Sequence, residues 1–184
     1  MRSVPTARVL AVDDRRENLV ALQAILEGLP VEVESVTGGE DALKRLMTTD
    51  YAAILLDVHM PGMDGYETAE HIKQRERTRH IPIIFLTAVD YDAYLVFRGY
   101  EAGAVDYITK PLDPWVIRTK VGVFADLWTV QAELSAQAQE CQSLCSAIGD
   151  ALQGLEKSPP DTERAATRLR AALARVAEAV EQTP

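Results

Sequence analysis

Between residues 8 and 110 the chain alternates five short apolar runs with stretches of helical periodicity, and no other feature constrains its fold as tightly. The runs lie at 9–12, 31–36, 52–56, 81–86 and 104–108, with helical pattern between them at 16–28, 39–48, 64–77 and 90–102. Strands that read as continuous apolar runs are covered on both faces, as in a parallel sheet sandwiched between helical layers. The expected fold class is therefore α/β, with a five-stranded parallel sheet. Gly28 and Gly103 stand where helix C-caps belong, and Pro30 and Pro82 fall between helix and strand, where a missing N–H does little harm.

The third run poses a chemical question. In "YAAILLDVHMPGMDG", residues 51–65, a strand buried on both faces ends on Asp57, and a carboxylate there is costly unless its charge is compensated. The first run ends in Asp13 and Asp14, the fourth in Thr87, and the fifth in Lys110 followed by Pro111. Open α/β sheets bind ligands outside the carboxyl ends of their strands, so residues that close different strands can converge there. Three carboxylates from two strands repel unless a hard divalent cation sits among them, and Mg²⁺ favours oxygen ligands. Lys110 adds a point charge able to hold a phosphoryl oxygen.

From Asp113 the character changes. Asp113 caps a helix with Pro114 at its first position, and helical pattern then runs without proline as far as Pro159. A helix of about 42 residues is about 63 Å long at 1.5 Å per residue, more than a domain of this size can cover. Leu127, Gln131, Leu134, Ala138, Cys141, Cys145, Ile148, Leu152 and Leu155 recur along it at alternating spacings of 4 and 3, the seam of a coiled coil. Gln131 is the strongly polar member, of the kind that fixes register, and Gly149 and Gly154 weaken the end. Beyond "KSPP", Ser158, Pro159 and Asp161 form a helix start, and residues 161–182 place Leu169, Leu173, Val176 and Val180 on one stripe. That last helix can fold back on the long one or pair with another chain.

Composition narrows the partners. A net charge of -9 argues against nonspecific binding to nucleic acid or to an anionic membrane, and favours protein or cation partners. No apolar stretch approaches the roughly 20 residues that span a bilayer. "MRSVPTARVL" has neither the long apolar segment nor the cleavage site of a signal peptide, so a soluble cytoplasmic protein is expected. Cys141 and Cys145 make no disulfide framework and fit a reducing compartment. His59, His71 and His80 form no ligand cluster, and Trp115 and Trp128 read as packing anchors at the root of the long helix.

The ordered set "VDD", "LLDVHMPGMDG", "FLTA" and "DYITKP" resembles the receiver domains of two-component response regulators, over about residues 7–125. "DRRENLVALQAIL", "RERTRHIPIIFLTA" and "FRGYEAGAVDYITKPLDP" are similar to receivers attached to bacterial hybrid histidine kinases. The resemblance implies a doubly wound flavodoxin-like sheet of order 2-1-3-4-5. It makes Asp57 the phosphoacceptor, with Asp14, Asp57 and the His59 backbone carbonyl as direct Mg²⁺ ligands and Asp13 acting through water. It implies that Thr87 bonds the new phosphoryl oxygen, that Tyr107 is the switch aromatic, that His59 tunes phosphate lifetime, and that the Lys110–Pro111 bond is cis. The phosphoryl donor is then a histidine kinase or phosphotransfer protein.

Taken together, the expected organisation is a receiver at 1–125, a coiled-coil extension at 126–157 and a C-terminal helix at 158–184. The expected role is a phosphorylation-controlled switch in a phosphorelay: a phosphoacceptor rather than an enzyme, with intrinsic autophosphatase activity at most. Its output would be homodimerisation through the C-terminal helices or docking of a downstream protein. A DNA-binding regulator is the main rival, but fewer than about 60 residues follow the receiver and none forms a helix-turn-helix with a basic recognition face. A Mg²⁺-dependent phosphohydrolase would need an acid two residues after Asp57, where His59 stands, and a purely structural coiled coil would not need the full acceptor set. The hybrid-kinase wording leaves open a receiver fragment of a larger protein, and the first methionine leaves open a whole gene product.

Overall fold

The structure, a computed structural model of the chain, describes residues 6–88 and 106–156, with residues 163, 166–168, 170–171 and 174 of the tail. Five strands appear in the expected places: β1 (Ala7–Val12), β2 (Val31–Val36), β3 (Ala53–Asp57), β4 (Ile83–Thr87) and β5 (Asp106–Thr109). They form one parallel sheet of order β2-β1-β3-β4-β5, as the resemblance implied. The helices are α1 (Arg16–Leu26), α2 (Gly39–Leu46), α3 (Gly65–Gln74) and the long α4 (Pro114–Glu156), and the described tail residues are helical. The helix expected at 90–102, its Gly103 cap and the start of the fifth strand lie outside the described residues.

Alternation of side chains across the strands divides the core in two. Leu10, Val12, Ile54, Leu56, Ile83 and Phe85 point to one face and pack with Leu43 and Leu46 of α2 and Tyr66 and Ile72 of α3. Val9, Ala11, Leu55, Ile84, Leu86 and Ile108 point to the other and meet Leu19, Leu22 and Leu26 of α1 and Ile117 and Val121 of α4. With apolar partners on both sides, the middle strands have no polar face, which is why the sequence showed runs instead of alternation.

The helix ends explain the local chain path. Gly28 has φ +83, a left-handed conformation that closes α1 at little steric cost, and Arg118 of α4 donates to the Ile25 and Glu27 carbonyls at 2.6 and 2.7 Å. Asp113 caps α4, accepting from the Trp115 and Val116 amides at 2.8 and 3.3 Å. Helix α3 stops at Gln74, short of the expected 77, because the following turn is stitched beneath it. Thr78 Oγ1 donates to the Ile72 carbonyl at 2.7 Å, and Lys73 Nζ to the carbonyls of Arg79 and Ile81 at 2.9 and 2.8 Å.

By compactness the chain divides into two units, Met1–Val130 and Gln131–Pro184, and α4 belongs to both. In the first unit, Ile117, Val121 and Ala125 of α4 are buried. In the second, Leu134, Ile148 and Leu152 are 60, 39 and 54 % exposed, and Cys141 and Cys145 are exposed free thiols. Trp115 does not anchor the root of α4: it is 73 % exposed, because it sits roughly a quarter turn or more away from the line of Ile117 and Val121. Trp128 does pack, against Ala7, Ala52 and Ala125. None of the described helices is long and apolar enough to cross a membrane.

Candidate functional site

Strand register assembles the site. Val12 pairs with Leu56, so Asp13 and Asp57 are the next residues out on adjacent parallel strands. Thr87 pairs with Thr109, so Lys110 follows immediately beyond the end of β5. The five strand-end residues singled out in the sequence, Asp13, Asp14, Asp57, Thr87 and Lys110, thus emerge along one edge, at the carboxyl ends of β1, β3, β4 and β5.

Lys110 reaches across this edge. Its Nζ is 3.0 Å from Asp13 Oδ2 and 3.0 Å from Asp57 Oδ1. The Lys110–Pro111 peptide is cis, as the resemblance implied. Asp13 is fully buried and Asp57 is 5 % exposed, whereas Asp14 is more open. One oxygen from each of the three carboxylates lies within 4.8 Å of the others. Burial pushes the Asp57 carboxyl above the ordinary range; the Lys110 hydrogen bond and charge oppose this without cancelling it, and Asp13 and Asp14 add to the rise. Burial works against the Lys110 charge too, but its bonds to Asp57 and Asp13 and their charges outweigh that and push the lysine up. The two shifts have different origins: burial raises Asp57 despite Lys110, whereas the carboxylates of Asp57 and Asp13 raise Lys110 despite burial. That donor set fits a hard divalent cation, which would be bound by oxygens alone and would offset the charge Lys110 leaves uncompensated.

The remaining expected residues are placed as follows. Thr87 is half-buried, with Oγ1 donating to the Ala88 carbonyl at 3.2 Å. Tyr107 is half-buried and its ring lies 5.4 Å from that of Phe85, which in turn is 5.0 Å from Tyr66. His59 is exposed two residues past the end of β3.

Two residues that sequence reading passed over support the site. Asn18 on α1 donates its carboxamide to both oxygens of Asp13 at 2.9 Å, and the Arg15 amide adds a third bond at 2.9 Å. The Asp13 carboxylate is therefore fixed before any ligand arrives. Gly65 opens α3 against the tip of β3, where a Cβ would stand 2.3 Å from the Asp57 carbonyl oxygen and 2.8 Å from Val58 Cα. Only a glycine lets the Gly65 amide reach the Val58 carbonyl at 3.0 Å, which holds the chain that follows Asp57. The "MDG" that ends the acidic motif was the available signal for Gly65; Asn18 had none beyond its place in "DRREN".

The sequence profile described as Response regulator receiver domain matches residues 9–122. Over 173 residues the chain is 35 % identical to Response regulator PleD of Caulobacter vibrioides, a span covering 91 % of this chain and 38 % of that protein. It is 40 % identical over 108 residues to Sensor histidine kinase GacS of Pseudomonas protegens, covering 57 % of this chain and 12 % of that one. The chain thus spans well under half the length of these curated relatives. The solved receiver domain of a signal transduction histidine kinase from Syntrophus aciditrophicus superposes with a TM-score of 0.60 at 34 % identity, covering 65 % of this chain and 90 % of that one.

Proposed function

The chain belongs to the response regulator receiver family, and on that premise we propose that it is a phosphorylation-controlled switch whose acceptor is Asp57 and whose output is its helical extension. The observation that carries the reading is the bridge of Lys110 Nζ to Asp57 and Asp13, 3.0 Å from each, inside a three-carboxylate cluster. Receiver domains accept phosphate from histidine kinases, so the donor is a phosphohistidine on a kinase or phosphotransfer protein. An Asp57 oxygen attacks phosphorus, the phosphorus–nitrogen bond breaks, and the histidine nitrogen leaves with its electron pair while the aspartyl phosphate forms. Such transfers are catalysed by positioning and charge neutralisation. Mg²⁺, held by Asp14, Asp57 and the His59 carbonyl with Asp13 through water, would supply most of that neutralisation.

The chain's own residues do the rest. Asn18 and the Arg15 amide hold Asp13, and Gly65 holds the chain after Asp57. Lys110 is placed to release part of its contact with Asp57 and take a phosphoryl oxygen. Thr87 exchanges its weak bond to Ala88 for another phosphoryl oxygen, and Tyr107, its ring tilted against that of Phe85 in the adjacent strand, follows. Couplings of this kind amount to about 1–3 kcal/mol, so phosphorylation shifts a population instead of locking a state. The output reading rests on the exposed apolar residues Leu127, Leu134, Ile148 and Leu152, which suit assembly with a second copy or a downstream protein.

Incubation with acetyl phosphate and Mg²⁺, followed by phosphate-affinity electrophoresis, tests the acceptor. Wild type should shift, and both chelation and Asp57→Asn should abolish the shift. A labelled Asp57→Asn protein would place the acceptor elsewhere.

A further inference from the structure

We propose that Cys141 and Cys145, in the second unit of the chain, form a site for a soft monovalent metal ion, Cu(I). They are the chain's two cysteines, and both are free thiols. Unpaired cysteine is among the side chains most often buried, yet both of these are exposed, four residues apart within α4. Four residues along a helix amount to about 6 Å of rise and about 40° beyond a full turn, so the two thiols stand one above the other on one face. Side chains so placed have Cβ atoms about 5–6 Å apart. A disulfide needs Cβ atoms about 3.5–4.5 Å apart, so the pair cannot close on itself while the helix is intact. A bridging ion adds two metal–sulfur bonds of roughly 2.3 Å each, and that longer link fits the gap.

The donor set selects the ion. Between residues 137 and 149, about one turn either side of the pair, the sequence has no histidine, and its one acid, Glu140, lies about 100° round the helix from Cys141. Two sulfurs are therefore what this face offers. Zn²⁺ in a closed site takes four ligands and would be left half-bound, and Mg²⁺ takes oxygens such as those of Asp13, Asp14 and Asp57. Thiolates select Cu(I), which is satisfied by two of them in a line. On binding, each thiol releases its proton to solvent and two copper–sulfur bonds form. The copper remains Cu(I), so nothing is oxidised or reduced. The bridge ties one helical turn to the next just ahead of Gly149 and Gly154, where helix propensity is lowest. Bound copper therefore holds this stretch of α4 in its helical form.

The test titrates full-length protein with Cu(I) under nitrogen, with bicinchoninate as competitor, after circular dichroism has shown equal helix content in every variant. Wild type should take one copper per chain. Cys141→Ser and Cys145→Ser should each bind at least about 100-fold more weakly. The decisive variant combines Cys145→Ser with Ser146→Cys, which keeps two thiols but carries the second about 100° further round the helix. It should bind as weakly as the single variants. Wild-type affinity in the relocated pair, or in either single variant, would show independent thiols and overturn the site. So would one copper per two chains in sedimentation of the loaded protein, since a bridge between copies needs one thiol from each. Hydrogen exchange gives a second readout. Copper should slow exchange of the amides of residues 142–153 at least about threefold in wild type and leave Cys145→Ser unchanged. Unchanged exchange in copper-bound wild type would overturn the bridge across the turn.

Discussion

Helix α4 has two apolar stripes with opposite fates. Ile117, Val121 and Ala125 are buried at 0, 0 and 3 % exposure, while Val123, Leu127 and Val130, interleaved with them in sequence, are 53–60 % exposed. The first stripe is explained entirely by the sheet it covers. The second has the same residue types and no partner among the described residues. The contrast shows that apolar residues on a helix identify a partner only once the face they occupy is known. A helix that is apolar on two faces needs two partners.

The comparison breaks most visibly at the buried stripe. Ile117→Ala should destabilise the receiver by about 3 kcal/mol, the usual scale for deleting a buried aliphatic side chain. Leu127→Ala should change it by less than about 0.5 kcal/mol when urea unfolding is followed at protein concentrations too low for assembly. Equal losses at the two positions would mean the exposed stripe is covered within the chain. Gly65→Ala comes next: its Cβ would meet the Asp57 carbonyl, so about 2 kcal/mol of stability and most of the phosphorylation rate should go, with no change in mass in solution.

Asn18→Ala sharpens the contrast further, since it loosens Asp13 without touching the extension. Mg²⁺ affinity, read from titration of the metal, should weaken about tenfold, as for other residues that orient a ligand. The smallest effect concerns Tyr51, buried at the far end of the sheet and bonded to Glu34 at 2.6 Å. Burial, then the hydrogen bond and charge of Glu34, push its phenol up to about 12. A raised folded-state value means its contribution is intact below pH about 10, the ordinary tyrosine value, and is lost as pH rises from there towards 12. Stability measured across that window should fall more steeply in wild type than in Tyr51→Phe.

Much of this was legible in the sequence for identifiable reasons. Continuous apolar runs exist because both sheet faces are covered, and residues closing parallel strands must converge, so Asp13, Asp57 and Lys110 could be placed together from order alone. Gly28, Asp113 and Pro114 mark helix ends through backbone chemistry that is local to them. What stayed hidden depends on contacts between distant segments. The end of α3 is set by Lys73 and Thr78 bonding across a turn within a polar run that itself looks helical. Asn18 and Gly65 act through neighbours that only the fold supplies. Trp115 and the Val123–Val130 pair were hidden for the same reason: periodicity places residues on a stripe but does not say which stripe the sheet takes.

In the proposed function, chemistry at Asp57 biases assembly through the exposed stripe of α4. Sedimentation equilibrium of wild type and Leu134→Lys, each with and without beryllofluoride and Mg²⁺, tests it most directly. The expected result is a wild-type dimer whose dissociation constant changes by at least about fivefold with beryllofluoride, the lower end of typical couplings. The Leu134→Lys chain should be monomeric and still accept phosphate from acetyl phosphate. A wild-type mass that ignores beryllofluoride, or a Leu134→Lys chain that assembles like wild type, would contradict it.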